Sequence, residues 1–379
     1  MRRICIVLTT RGNFAKTKTA MRAIVAHPKL ELALVVGGAL LNRQCDILDE
    51  VISAEFEIVG KLDYMMASET PAAIGASAAT CLLRATDLIE RLKPHVLMVI
   101  ADRYETLALA QAGLIGNARI AHLEGGEVSG SIDERIRHAV TKLAHYHLAS
   151  SKEAAARIVR LGEDAAAVAV VGSPSFDLLR DIDRAGFQRL RMRLNGAAPV
   201  DPTRPFVLVS QHPVVTEYAE ARAQYDTLAD AILELKLPAI WIWPNNDAGA
   251  QYVREPLARL QSSPQAPPVA VMTGLPIEEY GAALSHAACL VGNSSSGIRE
   301  AAFLGTPVVN IGSRQTGRER CANVLDVACA TVEISGAVRR QMANGRYAAD
   351  LRYGDGNAGT KIAEFLADYW PPLDKAITY

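Results

Sequence analysis

The feature that most constrains this chain is a series of short apolar runs, each followed by a longer segment of helical length and composition. In the first half the runs fall at 4–8, 30–36, 95–101, 118–123, 146–149 and 168–171. In the second half they fall at 206–210, 239–243, 269–272, 289–291 and 308–311. Several are apolar at consecutive positions, as strands covered on both faces should be. Between them, 72–92 and 218–235 read as helices. Strands alternating with helices predict an α/β fold with parallel sheets.

With 379 residues the chain is long for a single core, so two domains are expected. The boundary is placed in 172–204, which opens with Gly172-Ser173-Pro174 and ends in Asn195-Gly196-Ala197-Ala198-Pro199 and Asp201-Pro202. The expected domains are 1–180 and 181–379, with a terminal helix at about 360–370 that could pack back on the first. Doubly wound halves bind ligands at the carboxyl ends of their strands, in the crevice at which strand order reverses. Functional residues are therefore sought just after the apolar runs.

Charge narrows the choice of partner. Forty basic against forty-one acidic residues leave a formal charge of −1, which argues against a broad nucleic-acid or membrane surface. A few placed arginines could still hold a small anion. The six cysteines (Cys5, Cys45, Cys81, Cys289, Cys321, Cys329) form no CxxC pair and read as free thiols of a reducing compartment. Arg2 and Arg3 precede only a short apolar run, then Thr9, Thr10 and Arg11, so the start reads as a first strand and not as a signal peptide. No run is read as a membrane span, and the expectation is a soluble cytoplasmic protein.

Three motifs carry chemistry. In Val291-Gly292-Asn293-Ser294-Ser295-Ser296-Gly297-Ile298-Arg299-Glu300 a strand ends in a small-residue turn and a helix is expected at once. Free backbone N–H groups and hydroxyls there suit an anion, and Glu300 could accept from ribose hydroxyls. A capped helix of any α/β protein explains the same residues. At Asp102-Arg103, after 95–101, a guanidinium suits phosphate and a carboxylate suits sugar, or the two form an ordinary surface ion pair.

The third motif is His122-Leu123-Glu124-Gly125-Gly126-Glu127 followed by Ser131-Ile132-Asp133-Glu134-Arg135-Ile136-Arg137-His138. Ser131 and Glu134 form a capping-box pattern, which places Asp133 in the first turn of a helix, where negative charge is favoured in any case. Alternatively Asp102, Glu124 and Asp133 converge as a carboxylate cluster for acid–base work. Arg11, His212, Asn245 and Arg314 also follow apolar runs, each a weak signal alone. No HExxH, GxGxxG or Walker-type loop is present, and His145 and His147, two apart, read as structural.

Taken in order, Asp102-Arg103, His122-x-Glu124-Gly125-Gly126-Glu127, Ser131–Ala139, Gln211-His212-Pro213, Gly292-Asn293-Ser294-Ser295 and Gly305-Thr306-Pro307-Val308 resemble the motifs of hydrolysing UDP-N-acetylglucosamine 2-epimerases of the sialic-acid-pathway type. The resemblance runs from about Arg11 to about Ala358. It implies the GT-B fold, two Rossmann-like doubly wound domains with the active site in the cleft between them. It implies that Arg11, Arg103, His212, Ser294, Ser295 and Arg314 hold the diphosphate or its surroundings, that Glu300 holds the ribose, and that Asn245 touches the nucleotide. Asp102, Glu124 and Asp133 then match the catalytic carboxylates. The implied reaction expels UDP across C1–C2 and hydrates the resulting glucal, giving free N-acetylmannosamine without metal or other cofactor. The implied partner is a UDP-linked sugar, with no nucleic acid and no membrane, in a homodimer or homotetramer.

Four positions depart from the pattern. Asn13 stands where many relatives are acidic, Gly37-Gly38-Ala39 lacks a histidine, Ala101 replaces a common glycine, and Gln251 replaces a regulatory lysine of the animal enzyme. An altered sugar pocket brings in a UDP- or GDP-linked diacetamido trideoxyhexose or another modified sugar. A GT-B glycosyltransferase, a catalytically silent nucleotide-sugar sensor and a non-hydrolysing epimerase compete with this reading.

Overall fold

The computed structural model describes residues 1–41, 52–68, 70–129, 132–180, 182, 184–197, 200–244, 247–273 and 275–378. The chain divides into two compact units: Met1–Glu127 with Ile132–Leu178 and Arg352–Tyr379, and Val128–Ser131 with Leu179–Leu351. The first unit holds β1 (Arg2–Leu8), β2 (Leu30–Gly37), β3 (Ile58–Leu62), β4 (Val96–Ile100), β5 (Arg119–Leu123), β6 (Tyr146–Ala149) and β7 (Val168–Val170). They form one parallel sheet in the order β3-β2-β1-β4-β5-β6-β7. The first six positions repeat the doubly wound dinucleotide-binding order.

Alternation along β1 shows why such strands are apolar throughout. Ile4, Ile6 and Leu8 join one core layer with the helices Arg11–Ala26 and Ala358–Asp368. Cys5 and Val7 join the other, with Pro71–Leu92 and Tyr104–Ile115. Successive side chains point to opposite faces, so burial on both faces removes the polar half of the pattern.

The second unit holds β8 (Val207–Ser210), β9 (Ala239–Ile242), β10 (Val269–Met272), β11 (Cys289–Gly292), β12 (Val308–Ile311) and β13 (Val324–Val327). Their order, β10-β9-β8-β11-β12-β13, is again parallel and doubly wound. Trp241, on β9, is completely buried in a layer with Tyr225 and Ile232.

Several local expectations change. Strands β3 and β13, both at sheet edges, have no counterpart among the expected runs, because exposed Lys61 and Asp326 interrupt them. The supposed boundary stretch contains the helices Ser175–Leu179 and Arg184–Ala197. The helix Pro71–Leu92 is long and apolar enough, by composition alone, to cross a membrane, contrary to the sequence reading. In the fold Cys81, Ala85, Leu88 and Ile89 pack into the core, while Leu83 is 67% exposed. Of the cysteines, Cys5, Cys81, Cys289, Cys321 and Cys329 are free thiols, and Cys45 lies outside the described residues.

After the helix Ala358–Asp368 the chain stays on the first unit. Trp370 is covered by the guanidinium groups of Arg2 and Arg119, 4.5 and 3.8 Å from its ring centre. Arg119 Nε donates to the Pro371 carbonyl at 2.7 Å, and Lys375 Nζ donates to the carbonyls of Thr141, Lys142 and Ala144.

Candidate active site

Strand order reverses between β1 and β4 in the first sheet and between β8 and β11 in the second. At such points the chain leaves two neighbouring strands in opposite directions, and a crevice opens. Arg11 follows β1 and Asp102 follows β4; His212 follows β8 and Ser294 follows β11. Four of the expected residues therefore stand at switch points.

Leu123 pairs with Ile100, so Glu124 and Asp102 leave adjacent strands almost level. Both exits use left-handed backbone: φ is +58° at Ala101, +64° at Glu124 and +76° at Gly126. A side chain in that region costs roughly 1–2 kcal/mol. The turn through Gly125-Gly126 begins at Glu124 itself, directly after β5.

Each carboxylate at these exits meets a cation. Glu124 is 2% exposed, and its Oε2 accepts from Lys16 Nζ at 2.6 Å. Lys16 comes from the helix that Arg11 opens. Asp102 pairs with Arg137, a guanidinium only 1% exposed whose other nitrogen donates to the Glu127 carbonyl at 2.9 Å. Asp133 heads the helix Asp133–Leu143, in the first turn as expected. Ile132 stands at its N-cap with no side-chain bond, and Ser131 lies outside the described residues. Asp133, Arg137 and Thr141 follow at four-residue steps and form one stripe of that helix.

Thr141 Oγ1 lies 3.2 Å from His122 Nδ1, and His122 Nε2 lies 2.8 Å from the Ala101 carbonyl. A carbonyl only accepts, so Nε2 carries the proton and Nδ1 accepts from the threonine. Burial pushes the imidazole down to about 4, against the pull of the Ala101 bond. The histidine is neutral.

Arg103 pairs with Glu105. Its Nε donates to Glu105 at 2.8 Å, and Glu105 also accepts from Thr9 Oγ1 at 2.9 Å. Asn13 Oδ1 accepts from Thr9 N, Thr9 Oγ1 and Thr10 N, while Thr10 caps the helix Arg11–Ala26. The amide at this departure from the family pattern completes a capping box. Of Arg11 only the backbone position is described, and Asn245 lies outside the described residues.

In the second unit Gly292 has φ +136°, and a Cβ there would lie 2.2 Å from the Ser210 carbonyl oxygen. Only glycine lets β11 turn against β8. Asn293 then binds both backbone groups of His212: its Oδ1 accepts from His212 N at 2.7 Å, and its Nδ2 donates to His212 O at 2.8 Å. Its own carbonyl accepts from Arg314 at 3.1 Å and from Gln315 at 2.8 Å. One asparagine gathers His212, Arg314 and the Ser294 turn. The expected single helix is two four-residue turns, Ser295–Ile298 and Glu300–Phe303, broken at Arg299. Ser294 caps the first by accepting from Ser296 N, and buried Glu300 opens the second. Tyr280 Oη is hydrogen-bonded to Ser296 Oγ.

Sequence reasoning gave no site role to Lys16, His122, Arg137, Thr141, Asn293 or Gln315. Arg137 carried a legible signal, four residues after Asp133 on a helix. Lys16 and Gln315 carried none. Among the described residues no group of three or more His, Cys, Asp or Glu side chains could hold a metal ion.

Two doubly wound parallel sheets with polar side chains at both switch points define a Rossmann-like protein of the GT-B class. A family model described as UDP-N-acetylglucosamine 2-epimerase matches residues 22–367, and the chain belongs to that family. A UDP-N-acetylglucosamine 2-epimerase of Neisseria meningitidis is 30% identical over 367 residues, 96% of this chain and 94% of that protein. A hydrolysing UDP-N,N'-diacetylbacillosamine 2-epimerase of Legionella pneumophila is also 30% identical over 367 residues, 97% and 96% of the two chains. In fold, the chain matches the crystal structure of the Methanocaldococcus jannaschii UDP-GlcNAc 2-epimerase with UDP-GlcNAc and UDP. Its TM-score is 0.80 at 16% identity, covering 96% of this chain and 99% of that one.

Proposed function

We propose that the chain is a hydrolysing 2-epimerase that converts a UDP-linked 2-acetamido sugar and water to UDP and the free 2-epimeric sugar. The observation that carries this reading is the pairing of Asp102 with buried Arg137 and of buried Glu124 with Lys16, beside the helix that Asp133 heads. In the first step a carboxylate takes the C2 proton, and the electron pair of that C–H bond forms C1=C2. The C1–O bond to the diphosphate breaks, and UDP leaves with the electron pair of that C1–O bond. Water then adds to the glucal, its oxygen to C1 and a proton to C2 from the opposite face, returning the catalytic carboxylates to their starting charge.

Asp102, Glu124 and Asp133 are assigned to proton transfer and water activation. His212, Ser294, Ser295 and Arg314, with Arg11 and Arg103, are assigned to the diphosphate, Glu300 to the ribose and Asn245 to the nucleotide. Hydrogen-bond donors to a departing diphosphate stabilise the charge that develops on it. The chemistry and the free thiols suit a cytoplasmic enzyme, acting as a homodimer or homotetramer.

UDP-N-acetylglucosamine is the first candidate substrate. A UDP-linked diacetamido trideoxyhexose is the second, and the loop after β2 favours it. There Gly38 has φ +56°, and a Cβ would lie 2.3 Å from the Tyr64 hydroxyl. Tyr64 thus fills space beside a loop that lacks the family histidine, which suits a sugar with different substituents. Incubation with each nucleotide sugar in D2O tests both readings. Release of UDP and a sugar deuterated and inverted at C2 is expected from one of them. Release of UDP with C2 unchanged, or turnover of neither sugar, overturns the proposal.

A further inference from the structure

Resting on that reading, we infer that His122 is a positioning residue for Asp102: a neutral clamp that holds the Ala101 carbonyl and thereby keeps Ala101 in left-handed backbone. Three observations meet there. Ala101 has φ +58°, although it carries a Cβ. Its carbonyl is gripped by His122 Nε2 at 2.8 Å, and its N–H donates to the Leu123 carbonyl at 2.9 Å. The imidazole is held in turn by Thr141, on the helix whose Arg137 pairs with Asp102.

The arrangement solves a problem specific to this sequence. A glycine would adopt the left-handed conformation at no steric cost, whereas alanine returns to extended or right-handed backbone unless surrounding groups over-determine it. Relaxation of Ala101 would swing the next residue, Asp102, away from Arg137. Completely buried and bonded at both ring nitrogens, His122 has no path for exchanging protons with a substrate. Its contribution is geometry.

The variants are chosen by which nitrogen they replace. Glutamine can place an amide nitrogen near the position of Nε2, whereas asparagine reaches only that of Nδ1. His122→Gln is expected to keep kcat within about threefold, and His122→Asn to lower it roughly 30- to 100-fold with KM and UDP affinity unchanged. Adding Ala101→Gly to His122→Asn should recover about tenfold, because glycine holds the turn without the clamp. Should His122→Asn fail to fold, Thr141→Val, which frees the ring, takes its place.

A glutamine variant as impaired as the asparagine one, or a double variant no faster than the single, overturns the clamp. A thermal arm needs no substrate. Ala101→Gly should raise Tm in the wild-type background and raise it less, or not at all, beside His122→Asn; equal increments overturn the clamp. Loss of the proposed reaction would appear instead as a wild-type protein that turns over no acetamido sugar nucleotide, with the thermal arm still decisive.

Discussion

At the scale of single residues, the proposed reaction separates charges assigned to chemistry from the charges paired with them. Asp102, Glu124 and Asp133 are the proposed actors, and Arg137 pairs with Asp102 and Lys16 with Glu124. Asp102→Asn, Glu124→Gln and Asp133→Asn keep shape while removing charge. Each is expected to lower turnover by roughly 10²–10⁴-fold with UDP affinity near wild type, and some should release the glucal, visible by mass spectrometry. Were Asp133 only a first-turn residue, its change would cost at most about 1 kcal/mol of stability and leave turnover intact. In the second unit, Glu300→Ala and Arg314→Ala should each weaken UDP binding by roughly 1–3 kcal/mol in calorimetry. Unchanged affinity in both would move the nucleotide elsewhere.

At the scale of elements, the helix Asp133–Leu143 organises the site. Its first residue is Asp133, its second turn presents Arg137 to Asp102, and its third presents Thr141 to His122. Its far end is held by the last stretch of the chain. Lys375 Nζ caps the Thr141, Lys142 and Ala144 carbonyls at 3.2, 2.8 and 2.6 Å, and also pairs with buried Glu163. A cation at a helix C-terminus meets the negative end of the dipole and its unpaired carbonyls. Lys375→Met is therefore expected to lower unfolding free energy by about 1–3 kcal/mol in urea titrations. It should also reduce kcat more than it raises KM, since the helix carries Asp133. A variant as stable as wild type would show the cap to be dispensable.

At the scale of the whole molecule, buried histidines make stability depend on acid. His122 titrates near 4 in the fold against 6.5 when unfolded, because burial opposes its charge. Burial likewise lowers His145 and His147. Below 6.5 the unfolded chain takes up protons that the folded chain refuses, so stability falls with pH until about 4. For His122 alone this loss is on the order of 3 kcal/mol. Glu163 acts in the adjoining window. Burial alone would raise its carboxyl, but bonds from His147, Lys142 and Lys375 hold it at about 2. Its contribution is present above 4.5 and is lost as pH falls from there to about 2. The unfolding free energy measured at a series of pH values should be level between 7 and 8 and fall steadily below 6.5. His122→Gln should flatten the limb between 6.5 and 4; an unchanged limb would place the titration on other groups.

What the sequence determined by itself was whatever depends on short stretches of chain. Runs such as 95–101 and 206–210 are largely apolar because both faces of their strands are covered, and they revealed parallel sheets with candidate site residues at their ends. The edge strands Ile58–Leu62 and Val324–Val327 escaped because an edge tolerates lysine and aspartate, which erase the pattern. Tertiary structure alone decided which charges meet. Lys16 reaches Glu124 across 108 positions, Arg137 reaches Asp102 across 35, and the Asn293 side chain grips His212 across 81. Such pairings are set by the order of strands in a sheet and not by local spacing. No window of sequence short enough to read by pattern contains both partners.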